Sequence, residues 1–198
     1  IKQRKLEQPY NVGRIWRLVP NATPNPTKKI IPTDTASRVE LLANADGWVR
    51  DTAQRLIVES GDTKAATALQ AMVQKHNSAL ARLHALWTLE GLNALNAETI
   101  RSALKDTDLQ VRAAAIRVCP QDLIAELYPL TSEKEALAIA HLAIRLSAAN
   151  QPEADNALAR LLSVHGKNAL VREGAFTGLR GREHTMAKLL AQNFSAQN

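Results

Sequence analysis

Cysteine occurs once in the 198 residues, at Cys119. That excludes an internal disulfide, a Cys-x-x-Cys-His haem attachment site and a thiolate zinc cluster. Only seven residues are aromatic. No apolar run approaches the roughly 20 residues needed to cross a bilayer as a helix. A glycine-rich phosphate loop is missing, and no Ser/His/Asp arrangement stands out along the chain. No signal peptide precedes the first helical stretch, and the sequence opens on Ile1 rather than methionine, so it reads as a piece of something longer. What remains is an ordinary hydrophobic share of 45%. Ala and Leu dominate it from residue 36 onward, a composition suited to close-packed helices. The length is enough to bury a proper core in one domain with an extension.

The net charge of +6 is unevenly placed. Residues 1–32 hold Lys2, Arg4, Lys5, Arg14, Arg17, Lys28 and Lys29 against the single acid Glu7, while the rest holds 18 basic and 18 acidic residues. A nucleic-acid-binding repeat protein is expected to carry its basic residues along the repeats. Here the basicity belongs to the lead-in. That lead-in also contains five of the eight prolines, and "NVGRIWRLVP" alternates like one strand before Pro20. A lone strand cannot satisfy its own backbone, so its partners are expected outside this sequence. Without them, Gly13–Val19 is expected to self-pair or to lie disordered, and removal of residues 1–32 should leave the helical body folded. The segment "PNATPNPTKKIIP" reads as an extended linker.

From residue 33 to 198 the chain reads as helix upon helix. Asp34, Asp46, Asp62, Asn96 and Asp108 are placed to cap helices. "SEKE" at Ser132–Glu135 has the form of a capping box. Pro120 and Pro152 suit first helical turns, and Gly61, Gly91, Gly166 and Gly181 fall where helices should stop.

One skeleton recurs: Asp/Asn-x-x-Val-Arg-x-x-Ala. It appears in "DGWVRDTAQRL" from Asp46, in "DLQVRAAAIRV" from Asp108 and in "NALVREGAFTG" from Asn168. It aligns Arg50, Arg112 and Arg172; a weaker copy from Ser78 adds Arg82. Such a period marks a stacked repeat protein. The reading is all-α, an α-α superhelix of ten to twelve helices in pairs, following a short extended segment over residues 1–32. An arginine in a first turn opposes the helix dipole, which suggests a ladder from each arginine to an aspartate of the adjacent repeat. Asp46, Asp108, Arg112, Asn168 and Arg172 are the members of that ladder. Aligning "KEALA" puts Glu135 at the arginine position of the fourth repeat, so the stack should be irregular around residues 120–150.

The skeleton resembles the short form of the HEAT-like repeat family. A narrower resemblance lies in "GRIWRLVP" (Gly13–Pro20), "GWVRDTAQRLIVESGD" (Gly47–Asp62) and "ARLHALWTLEGL" (Ala81–Leu92). Together these are similar to large membrane-bound dehydrogenases of the planctomycete and verrucomicrobial type. In that family a quinoprotein-like β-propeller ends in a Gly-Arg-Ile-Tyr/Trp-Arg strand and leads into HEAT-like repeats, often followed by a c-type cytochrome domain. The resemblance implies a periplasmic or other extracytoplasmic setting. It also implies pyrroloquinoline quinone and haem c in the parent, none of them held by this chain, and protein domains as partners.

Trp48, Arg50 and Asp51 are candidates for a domain interface or for an anion at a helix N-terminus. Trp87 and Gly91 follow His84 at helical spacing and form one stripe with it; with Glu90 beside them and Arg82 nearby they make a second candidate interface or ligand cluster. The five histidines show no His-x-x-x-His pair, and Cys119 has no base arranged beside it, as for a buried small residue. The leading reading is a non-catalytic scaffold with no catalytic, cofactor or metal residue of its own. The alternatives are a HEAT-like enzyme of the bilin lyase or DNA glycosylase type, and a nucleic-acid binder using the basic lead-in.

Overall fold

The computed structural model describes residues 30–195. The expected strand in "NVGRIWRLVP" lies outside them. Among the described residues there is no strand, and the chain forms ten α-helices. These are α1 (Thr35–Leu41), α2 (Gly47–Ser60), α3 (Ala66–Lys75), α4 (Ala79–Gly91), α5 (Ala97–Leu104), α6 (Leu109–Val118), α7 (Ala136–Ala148), α8 (Pro152–His165), α9 (Ala169–Phe176) and α10 (Glu183–Ser195). Two 3-10 segments join them, Thr63–Ala65 ahead of α3 and Gln121–Ser132 between α6 and α7.

Side-chain oxygens set the helix starts. Asp34 accepts from the Ser37 amide, Asp46 from Trp48, Ser78 from Ala81, Asn96 from Thr99, Asp108 from Gln110 and Val111, and Asn168 from Leu170. Each satisfies an amide that the helix itself leaves without a partner. Pro152 opens α8 as expected, and Gly61 ends α2 with φ of 62°.

The helices pack in two layers. α1, α3, α5, the 3-10 segment Gln121–Ser132, α8 and α10 alternate in sequence with α2, α4, α6, α7 and α9. In the second layer α2 touches α4, α4 touches α6, α6 touches α7 and α7 touches α9. Between the layers lies one apolar core. Leu42, Ile57, Leu69, Leu86, Leu89, Ile100, Ile116, Leu127, Leu142, Leu146, Leu158 and Leu161 are its largest fully buried side chains. The repeat's valine and alanine supply the close contacts: Val49, Ala53, Val111, Ala115, Val171 and Ala175 are all buried.

Three expectations need correction. The capping box at Ser132–Glu135 does not form. Ser132 ends the 3-10 segment, Glu135 is the residue before α7 and makes no side-chain cap, and the Glu133 carboxylate takes the amides of Lys134 and Glu135. Gly181, with φ of 80°, turns the chain ahead of α10 and does not end α9, which stops at Phe176. Glu135 is also not the fourth repeat's arginine position. Arg50, Arg82, Arg112 and Arg172 are each the fourth residue of their helix, and in α7 that place belongs to Ile139.

The irregularity falls in the first layer, where the 3-10 segment replaces an α-helix. Pro129 lies within it and lacks the donor an α-helical turn requires. Its buried Ile124 and Leu127 are three residues apart, which puts them on one face of a three-residue turn.

Candidate functional site

The arginines of the skeleton are held by backbone. Arg50 Nη1 donates to the carbonyls of Asn44 (2.7 Å) and Ala45 (3.0 Å). Arg82 Nη1 donates to His76 (2.8 Å) and Asn77 (3.1 Å), Arg112 Nη1 to Asp106 (2.9 Å) and Thr107 (3.3 Å), and Arg172 Nη1 to Gly166 (2.7 Å) and Lys167 (2.8 Å). In all four the acceptors are five and six residues back, in the turn leading into the arginine's own helix. This clamp gives a physical reason for a cation in a first turn. The guanidinium neutralises carbonyl oxygens that the preceding helix and its turn leave free.

The other edge of the guanidinium looks toward the next helix pair along the chain. Arg82 Nε and Nη2 form a bidentate pair with Asp106 at 2.6 and 2.7 Å. Arg112 Nε lies 3.5 Å from Glu133, and Arg50 Nε donates to His84 Nε2 at 3.2 Å. The partners of the expected ladder are thus Asp106, Glu133 and His84, and the capping Asp108 serves its own helix instead. Burial by itself would raise the Asp106 carboxyl, but the Arg82 hydrogen bond and the Asp108 amide hold it below the ordinary range. The Arg82 guanidinium is correspondingly raised by its bond to Asp106.

His84 is neutral in this setting. Its Nε2 accepts from Arg50, so Nδ1 carries the proton and donates to Gln54 Oε1 at 2.7 Å. Burial lowers its pKa, the Arg50 charge lowers it further, and Asp51, 4.0 Å from Nε2, opposes both. Arg50, Asp51 and His84 therefore come together. The α2 N-terminus is not open to an anion through these groups, because Asp46 already takes the Trp48 amide and Arg50 is turned onto carbonyls and His84.

Trp87 and Glu90 join Asp51 in a different way. With Gln54, Arg55, Val58, Glu59 and Gly91 they line an open groove of about 380 Å³ between α2 and α4. Its wall is close-packed at Gly91, where an added Cβ would meet Val58 Cγ2 at 2.8 Å. Arg55 is paired with Glu59 at 2.8 Å, and Arg117 stacks on the Trp87 ring at 5.4 Å from its centroid. Trp48 stands apart from this groove, 56% exposed, and Arg82 faces the α3–α5 side with Asp106.

Other candidates are structural in their contacts. Cys119 is buried, its thiol pushed up to about 11 by burial, which leaves it un-ionised at neutral pH. His76 Nδ1 accepts from the Ser78 amide at 3.0 Å, and His141 Nδ1 lies 3.1 Å from the Ala113 carbonyl. Among the described residues no group of three or more His, Cys, Asp or Glu is placed to hold a metal ion, and no helix is long and apolar enough to cross a membrane.

One junction had no sequence signal. Arg182 donates to the buried Asp155 and to the carbonyls of Ser147 and Gly178, joining α7, α8 and the turn before α10. Neither residue belongs to the repeat skeleton, so only their burial together identifies them. Comparison with known proteins gives no match: no protein-family model, curated protein or solved structure is significantly similar to the chain.

Proposed function

We propose that the chain is a non-catalytic α-solenoid, its helix pairs wound into a right-handed superhelix, and that it serves as a scaffold between protein domains. The observation that carries this reading is the fourth-residue arginine clamp repeated in α2, α4, α6 and α9. It engages the charged side chains of the motif in building layers, so their recurrence is accounted for without a reaction. What the second layer offers to a partner is the groove of Asp51, Trp87 and Glu90. By its resemblance to dehydrogenase-associated repeats, the domains joined would be a quinoprotein-like propeller and an electron-accepting c-type cytochrome. Pyrroloquinoline quinone and haem would be carried by those domains, in a periplasmic protein.

The groove's charge weighs against a glycosylase or a nucleic-acid binder. Asp51, Glu59 and Glu90 line it against one cation, Arg55, which Glu59 already pairs. A phosphate backbone needs the opposite sign there. The test is the affinity of the full chain for a separately produced propeller and cytochrome domain of this type. Combining Asp51→Lys with Glu90→Lys should weaken the complex with one of them at least about tenfold, near 1.4 kcal/mol. Failure of both domains to bind the unaltered chain would remove the scaffold reading.

A further inference from the structure

Three of the clamped arginines meet an acceptor from the next helix pair, and the acceptors differ in kind. Arg82 has Asp106 and Arg112 has Glu133, carboxylates whose pKa values are held below the ordinary range, so they stay charged near neutral pH. Arg50 has an imidazole, His84 Nε2, at 3.2 Å. A ring nitrogen accepts from a guanidinium only while it carries no proton. This bond between α2 and α4 therefore exists in one protonation state and is forbidden in the other. No carboxylate at that place would impose such a change near neutral pH.

The ring is also hinged. Nδ1 donates to Gln54 Oε1 at 2.7 Å, a bond that the neutral and the protonated ring both make. Protonation changes Nε2 alone, from an acceptor to a donor facing a cation that now repels the ring. A new acceptor stands beside it. Asp51 Oδ1 is 4.0 Å from Nε2 and its side chain is 76% exposed, so a rotation about its own bonds brings it into hydrogen-bond range. Asp51 is at the same time one of the acids along the α2–α4 groove, with Glu59 and Glu90. The helices packed against α4 also carry Arg55 and Glu59 on α2, Lys75 on α3, and Arg112 and Arg117 on α6. Arg50 and Asp51 are the two groups whose charge acts on the ring.

We propose that His84 is a proton-operated latch: on gaining a proton it lets go of Arg50, pivots on Gln54 and takes Asp51. Acidification then unties α2 from α4 at this point and draws one carboxylate out of the groove. Arg50 keeps its Nη1 on the Asn44 and Ala45 carbonyls throughout, because nothing in that clamp titrates. The start of α2 survives, and the change is confined to the link between helix pairs. Burial and the Arg50 charge hold the ring's pKa below its ordinary 6.5, so the latch is closed at neutral pH and opens only on the acid side of that value. It needs no occupant in the groove and stands apart from the scaffold reading.

NMR of the 198-residue chain, labelled with nitrogen-15 and carbon-13, reads each part. At about pH 7.5 His84 should show the tautomer protonated at Nδ1, with the Arg50 Nε–H slow to exchange with water. Titrated toward about pH 5, the ring should gain its proton with a midpoint below 6.5. Across that step the Arg50 Nε–H should exchange at least about tenfold faster, as for a lost hydrogen bond to a charged group. The Asp51 carboxyl carbon should shift twice, once with its own titration and once at the His84 midpoint, and the second shift should vanish in His84→Gln. Asp51→Asn should lower the His84 midpoint by about 0.3–0.7 pH unit, the loss of one exposed opposite charge. Far-UV circular dichroism should keep its helical signal over the range. A chain that melts before the ring titrates would overturn the proposal, since the latch would never open in a folded molecule. So would an Nε2-protonated tautomer at neutral pH, an Arg50 Nε–H indifferent to the ring's proton, or an Asp51 carboxyl blind to it.

Discussion

Arg82, Arg112 and Arg172 occupy one helical position in three helices of the second layer, and their surroundings grade their worth. The Arg82 and Asp106 side chains are only 12% and 7% exposed, so Arg82→Ala leaves a buried carboxylate without its cation. A loss of about 3–5 kcal/mol is expected. Arg112, with Glu133 at 3.5 Å and a partly exposed side chain, should cost about 1–2 kcal/mol. Exposed Arg172 should cost under about 1 kcal/mol. Urea denaturation of the three alanine variants checks the order, and a flat series would refute the layer-to-layer role. The motif announced these positions, but their main acceptors are carbonyls, which carry no residue identity and leave no trace in a sequence. For the same reason the sequence pattern points to Asp108 and not to Asp106. The capping aspartate is recognisable by its spacing, whereas the bridging one depends on how a turn folds.

His84 adds a pH dependence. Its folded pKa is depressed, so between that value and the ordinary 6.5 the unfolded chain binds the proton and the folded chain does not. Stability therefore rises with pH through this window and is lost as pH falls from about 6.5 toward the folded value. The carboxylates Asp106 and Glu133, also lowered, lose their contributions only at more acidic pH. Melting temperatures between pH 7.5 and 5.5 should fall for the parent and fall less for His84→Gln. Equal slopes would mean His84 is protonated in place.

At the scale of elements, two glycines are required for different reasons, one by close approach and one by its backbone angle. An added Cβ at Gly178 would lie 2.5 Å from the carbonyl carbon and oxygen of Ser147, rigid backbone that Arg182 also grips. Gly178→Ala is expected to cost about 3 kcal/mol, the scale of an overpacked core. Gly61 has open space around it and only its φ of 62° to defend, so Gly61→Ala should cost about 1 kcal/mol. Thermal unfolding of the pair measures the difference; a reversed order would mean that the α7–α9 junction yields. Helix starts were legible because capping is local and specific to residue type: Asp34, Asp46, Asn96 and Asp108 all cap where expected. The fourth pair was not legible. Its first element is a 3-10 segment, and "SEKE" satisfies the pattern of a capping box while Glu133 takes the amides from outside the helix.

For the whole described body, the all-helical class was legible in the composition and the capping residues, and the lining of the α2–α4 groove was partly so. Trp87 and Gly91 belong to one stripe with Glu90 beside it, but Asp51 reaches them across a helix pair, a relation no local pattern encodes. The winding of Gln121–Ser132 has a further consequence, which concerns force. A 3-10 segment rises about 2.0 Å per residue against 1.5 Å in an α-helix, so its twelve residues span roughly what sixteen α-helical residues would. Its hydrogen bonds are the poorer ones of that geometry, and Pro129 removes one donor. Under an extending force, the helical body should yield first at this segment. In single-molecule extension the first yielding step should release chain around residues 121–132, and Pro129→Ala should raise the force at which it occurs.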